Sequence, residues 1–118
     1  RGLTLFNGYD EVLVAGLLMG ADGGIGSFYN VAPELFVQLY THAEAGEWAQ
    51  ARALQDRINE LITIGLRYPV VPAVKAMLRR QGIECGECLA PRRWLTAVEE
   101  VDLDEQLARS NFAAWKKE

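Results

Sequence analysis

Two stretches that read as short strands, each followed by a helix, open the chain, and no further strand signal follows them. The first is LTLF (3–6), ended by NGYD, and the second is GGIGSFY (23–29). Between them EVLVAGLLMG (11–20) is apolar on nearly every side, the pattern of a helix packed against a sheet. After the second run Pro33 stands where the first residue of a helix belongs and opens PELFVQLYTHAEAG. Strand, helix, strand, helix implies parallel pairing through right-handed crossovers. Two parallel strands expose more faces and edges than these helices can cover, so the fold class expected is α/β with further sheet supplied from elsewhere.

Beyond Gly46 the strand signal is gone. Trp48, Ala51, Leu54, Ile58, Leu61, Ile62 and Leu66 recur at intervals of three or four and predict an amphipathic helix of about five turns, with Arg52, Gln55, Asp56 and Glu60 on its wet side. RYPVVP breaks that helix, and PAVKAMLRRQG (72–82) predicts another, closed by Gly82 as a left-handed cap. Residues 83–95 read as a connector, after which Thr96 and Glu99 form the T-x-x-E capping box of a last helix running toward Arg109. The division expected is therefore strand–helix units in 1–46 and a helical region in 47–118.

The chain's 118 residues, half of them hydrophobic, suffice for one core. Twelve basic residues against sixteen acidic ones, spread rather than gathered, give a net charge of -4 and argue against a nucleic-acid partner. The apolar run VLVAGLLMG (12–20) falls short of the ~18–20 residues that span a bilayer, and RGLTLFNGYDE lacks a signal-peptide core. A soluble, cytoplasmic protein without a membrane partner is expected. The first residue is not Met, and the chain reads as starting inside something larger.

The glycine run GADGGIGSFYN (20–30) is not a nucleotide cradle. It has no G-K-[ST], and Tyr29 stands where a dinucleotide fingerprint begun at Gly24 and Gly26 needs its third glycine. Two readings stay open: close packing of a strand with no room for side chains, or a substrate site. The second draws on NGYDE and SFYN, which gather polar groups at the carboxyl ends of neighbouring parallel strands, where α/β folds bind ligands. Asp10 and Glu11 either satisfy a helix N-terminus or accept hydrogen bonds from the hydroxyls of a polyol. CGEC (85–88) has redox or zinc half-site spacing but only His42 to complete a ligand set, so it reads as a structural or incidental pair. His42 itself reads as an ordinary mid-helix residue. No metal and no cofactor are expected.

LFNGYDE followed at this distance by GADGGIGSFYN, then PELF, a long amphipathic helix and PAVKAML, closely resembles the carboxyl-terminal part of the N-acetylneuraminate lyases. These are Schiff-base pyruvate aldolases of the family that contains dihydrodipicolinate synthase. The resemblance implies a (β/α)8 barrel with a three-helix tail, of which this chain would supply the last two strand–helix units and the tail; a whole barrel needs about 250 residues. It also implies a strand lysine that forms a Schiff base with pyruvate and a tyrosine that relays a proton. Neither is recognisable here: Lys75 falls on a tail helix, Lys116 and Lys117 lie at the chain end, and Tyr9 and Tyr29 do not match the relay tyrosine. No catalytic residue is therefore assigned. By similarity Gly8, Asp10 and Glu11 meet the hydroxylated sugar chain, Ser27 hydrogen-bonds there, and the backbone at Ile25 and Gly26 approaches the pyruvoyl end. Phe28 stands where the sialic-acid branch usually has threonine.

The function so implied is that of an aldolase fragment, inactive alone, whose parent cleaves N-acetylneuraminate or a related 2-keto-3-deoxy sugar acid to pyruvate and an aldehyde. Its partners would be that sugar acid or pyruvate, and further copies of itself in a homo-oligomer. A noncatalytic self-associating module, or a piece of another pyruvate aldolase, are the alternatives.

Overall fold

The computed structural model describes residues 2–115. Its sheet is parallel and very short. Strand β1 (Phe6–Asn7) pairs with β2 (Gly23–Gly24), Phe6 opposite Gly23 and Asn7 opposite Gly24. Flanking hydrogen bonds carry the pairing one step further at each end, from Asp22 N–H to the Leu5 carbonyl at 2.7 Å and from Ile25 N–H to the Asn7 carbonyl at 3.0 Å. Both strands fall short of the expected 3–6 and 23–29. A strand residue is defined by its partner, and among the described residues no third strand flanks either one. The second is also cut off when the chain coils into a 3-10 turn over Ser27–Asn30.

The chain divides into two compact units. The first is Arg1–Asn59. The helix expected over 11–20 is here a 3-10 turn (Asp10–Val12) continued by α1 (Leu13–Leu18). Helix α2 (Pro33–Glu44) carries Pro33 at its start, as the sequence predicts. The core of this unit holds Leu13 and Leu17 of α1, Phe28 and Val31 after β2, and Leu35, Phe36 and Leu39 of α2. Helix α3 (Trp48–Gly65) begins in this unit and buries Ala51 and Ile58 as expected. Gln55 does not lie on the wet side: it is 4% exposed. The main chain beneath it offers both an acceptor and a donor, so its amide is satisfied indoors.

The second unit is Glu60–Glu118. Helix α4 (Val70–Arg80) ends as predicted at Gly82, whose φ of 82° lets Gly82 N–H and Ile83 N–H reach back to the Arg79 and Leu78 carbonyls, each at 3.0 Å. Helix α5 (Ala97–Ala108) opens on the predicted box, Glu99 N–H donating to Thr96 Oγ1 at 3.2 Å and Thr96 N–H to Glu99 Oε2 at 2.8 Å. The two helices are joined by Arg80, whose buried guanidinium donates to Asp104 at 2.7 Å and Glu100 at 2.8 Å. Met77 of α4 and Leu103 and Leu107 of α5 are fully buried. A final 3-10 turn covers Ala113–Trp115. Among the described residues no single helix is long and apolar enough to cross a membrane.

Candidate functional site

The two turns that follow β1 and β2 pack against each other, and a buried carboxylate joins them. Asp10, 6% exposed, leads the first turn, and its Oδ2 accepts from Phe28 N–H at 2.9 Å in the second. Burial raises the Asp10 carboxyl above its ordinary value, the Phe28 amide pulls it back, and neighbouring Glu11 adds to the rise.

Room for that carboxylate comes from Gly26. A Cβ on Gly26 would overlap the Asp10 carboxyl group, while its φ of -172° is ordinary extended backbone, so the demand is for space. Gly24 likewise faces the Tyr29 hydroxyl and Leu13, and Gly23 lies against the Phe6 ring. The space beside these glycines is filled by the chain's own side chains.

From α3 two amides support the first turn. Gln55 Nε2 donates to the Asp10 carbonyl at 3.0 Å and Oε1 accepts from Val14 N–H at 3.0 Å. Asn59 Nδ2 donates to the Glu11 carbonyl at 3.1 Å, and its Oδ1 accepts from Gln55 Nε2 at 2.9 Å.

On the outside of the pair Gly8, Tyr9, Ile25, Ser27 and Asn30 are exposed and Glu11 is half-buried. Asn7 Nδ2 donates to the Tyr9 carbonyl at 2.5 Å and Asn30 Nδ2 to the Ser27 carbonyl at 3.0 Å, which steadies this rim. Phe28 points away from it into the core, 4% exposed. Tyr29 stacks on Phe36 with ring centroids 3.9 Å apart. Its hydroxyl is buried with no hydrogen-bond partner, and burial followed by the charge of Asp10 pushes it up to about 12. At neutral pH it keeps its proton and can both donate and accept. It lines a largely apolar pocket of about 330 Å³ floored by Leu13 and Gly24 and walled by Phe6, Phe36 and Tyr40.

The residues singled out in the sequence are thus found together: Gly8, Asp10 and Glu11 at one strand end, Ile25, Gly26 and Ser27 at the next, with only Asp10 turned fully inward. Lys75 is elsewhere, its Nζ donating to the carbonyls of Cys85 at 3.1 Å and Glu87 at 2.8 Å. Lys116 and Lys117 lie outside the described residues. Cys85 and Cys88 are free thiols, and among the described residues no cluster of three or more His, Cys, Asp or Glu side chains could hold a metal. His42 pairs with Glu47 near the end of α2. Gln55 and Asn59 were missed by the sequence reading, although Gln55 shares the stripe of Ala51, Ile58 and Ile62 at helical spacing.

A model of the dihydrodipicolinate synthetase family matches residues 1–109. An N-acetylneuraminate lyase of Rhizobium meliloti is 42% identical over 99 residues, covering 84% of this chain and 32% of that protein. Among solved structures, a Clostridium difficile protein in complex with mannosamine superposes with a TM-score of 0.83 at 28% identity, over 91% of this chain and 37% of its own. A Ruminococcus gnavus sialic acid aldolase, mutated at its catalytic lysine, gives a TM-score of 0.82 at 30% identity over 90% and 36%. The chain spans about a third of the length of the curated relatives it matches.

Proposed function

We propose, from the premise that this chain belongs to the dihydrodipicolinate synthetase family, that it supplies the last two strand–helix units and helical tail of a Schiff-base aldolase barrel, and with them the sugar-recognition half of the site. The complete enzyme reversibly cleaves N-acetylneuraminate, or a related 2-keto-3-deoxy sugar acid, to pyruvate and an aldehyde. The observation that carries this reading is the Asp10–Phe28 hydrogen bond, which holds the rims of two neighbouring strand ends as one surface where parallel α/β folds bind ligands.

On that surface Gly8, Asp10 and Glu11 serve the hydroxylated chain, Glu11 by its carboxylate and Asp10 largely through the backbone it fixes. Ser27 hydrogen-bonds the same substrate, and the main chain at Ile25 and Gly26 lies toward the pyruvoyl end. The mannosamine bound by the Clostridium difficile relative is an amino sugar, the kind of ligand such a rim suits. The electron sink is an imine between pyruvate and a lysine, which takes up the pair from the breaking carbon–carbon bond. The Ruminococcus gnavus relative is named for a mutation of its catalytic lysine; in this reading the corresponding lysine belongs to an earlier strand of the barrel, because Lys75 is committed to the Cys85 and Glu87 carbonyls away from the rim. The chain alone is inactive.

The test joins this chain behind the amino-terminal part of the Rhizobium meliloti lyase and follows pyruvate release from N-acetylneuraminate, beside borohydride trapping of pyruvate on the 118-residue chain. Activity of the fusion and no adduct on the chain alone are expected. An inactive fusion overturns the reading, and an adduct on the chain alone places the imine lysine within it.

A further inference from the structure

We infer that Gln55 is a positioning residue for the sugar-facing rim, an inference that rests on the function proposed above. The first turn of a helix leaves amides without intrahelical partners, and a short polar side chain at the N-cap normally takes one of them. Helix α1 has no such device. Its N-cap is Val12, and no side chain caps either it or the 3-10 turn before it. The work is done from 41 residues away, where Gln55 Oε1 accepts from Val14 N–H at 3.0 Å.

The rest of that amide is also committed. Nε2 has two hydrogens and two acceptors, the Asp10 carbonyl at 3.0 Å and Asn59 Oδ1 at 2.9 Å, and Asn59 in turn donates to the Glu11 carbonyl at 3.1 Å. One buried side chain therefore grips the backbone on both sides of Glu11. Its hold reaches the second rim as well, because Asp10 passes it to Phe28 N–H. A carboxylate could not donate to the Asp10 carbonyl, and an apolar side chain could do neither half of the task. The backbone atoms that Gln55 holds directly, the Asp10 carbonyl and Val14 N–H, flank the turn that the proposed function assigns to the hydroxylated chain, so its loss should be felt mainly on the aldehyde side of the reaction.

The experiment has two arms. In the 118-residue chain, Gln55→Leu should speed hydrogen exchange at Val14 N–H and Phe28 N–H by about fivefold to tenfold, the size of one lost hydrogen bond, and leave the amides of α5 unchanged. In the fusion with the Rhizobium meliloti part, run in the condensation direction, the same substitution should raise the KM for the aldehyde by about fivefold to tenfold while the KM for pyruvate stays within about twofold. Borohydride trapping of pyruvate should be unchanged. Gln55→Glu guards against a variant that fails to fold: it keeps the acceptor for Val14 and loses the donor to Asp10, so Val14 protection should persist while the aldehyde KM rises. An equal loss on both substrates, or an unchanged aldehyde KM, overturns the inference. If the unsubstituted fusion is inactive, the functional reading falls, and unchanged exchange at Val14 and Phe28 would then overturn the clamp as well.

Discussion

A single methyl group on Gly26 would fall on the Asp10 carboxylate, and Gly26→Ala is expected to destabilise the first unit by about 1–3 kcal/mol, the usual cost of overpacking. Denaturant titration should show it, and the loss should shrink in an Asp10→Ala background, where the colliding group is gone. Asp10 also sets a slope with pH. Its folded carboxyl is raised above the ordinary 3.8, so the native state holds the proton after the unfolded chain has lost it. Stability from this group is therefore present at low pH and declines as pH rises from about 4 through the raised value. Urea midpoints across that range should fall for the parent relative to Asp10→Asn, which cannot ionise. Little of this was legible beforehand. Adjacent acids after a strand read equally as caps or as ligands, and what decides is a partner 18 residues away. Gln55 was misplaced on the wet side because its polarity argued for water, although its place on the stripe of Ala51, Ile58 and Ile62 gives the buried face it takes beneath the Asp10 turn.

Among the elements, helix ends were the most legible and strands the least. Residues 16–21, 42–47 and 78–83 close their helices with one device: a glycine whose φ is 97°, 74° or 82°, and the residue after it, send amides back to carbonyls of the last turn. These signals are local and need no partner. The same holds for the box at Thr96, reinforced by Arg93, which grips Glu99 with both terminal nitrogens at 2.7 and 2.8 Å and holds its carboxyl down at about 2. Thr96→Ala is expected to lower stability by about 1 kcal/mol. Fraying should begin at the start of α5, and amide exchange at Glu99 should report it directly. Strand length depends on what lies alongside, so apolar runs of four and seven residues gave a ladder of two.

Among the described residues large apolar side chains are exposed in both units. At β1 and just before it Leu3 is 75% exposed and Leu5 and Phe6 are exposed, as is Ile25 just after β2, and in the second unit Leu89 and Val98 are exposed. Exposed apolar surface of this kind favours association. The 118-residue chain is therefore expected to self-associate, giving a light-scattering mass above that of one chain, and to lose that tendency when joined to the remaining strands of a barrel. A monodisperse single chain at micromolar concentration would refute this. The clamp between α3 and the Asp10 turn has a bearing on how such proteins can be recombined. Gln55 and the turn it holds behave as one heritable block although 45 positions separate Gln55 from Asp10. A crossover placed upstream of Gly8 transmits the block whole, whereas one placed between α2 and α3 delivers a sugar-facing rim to a helix with no obligation to support it. Hybrids of the second kind should survive only when the incoming helix happens to bring its own amide.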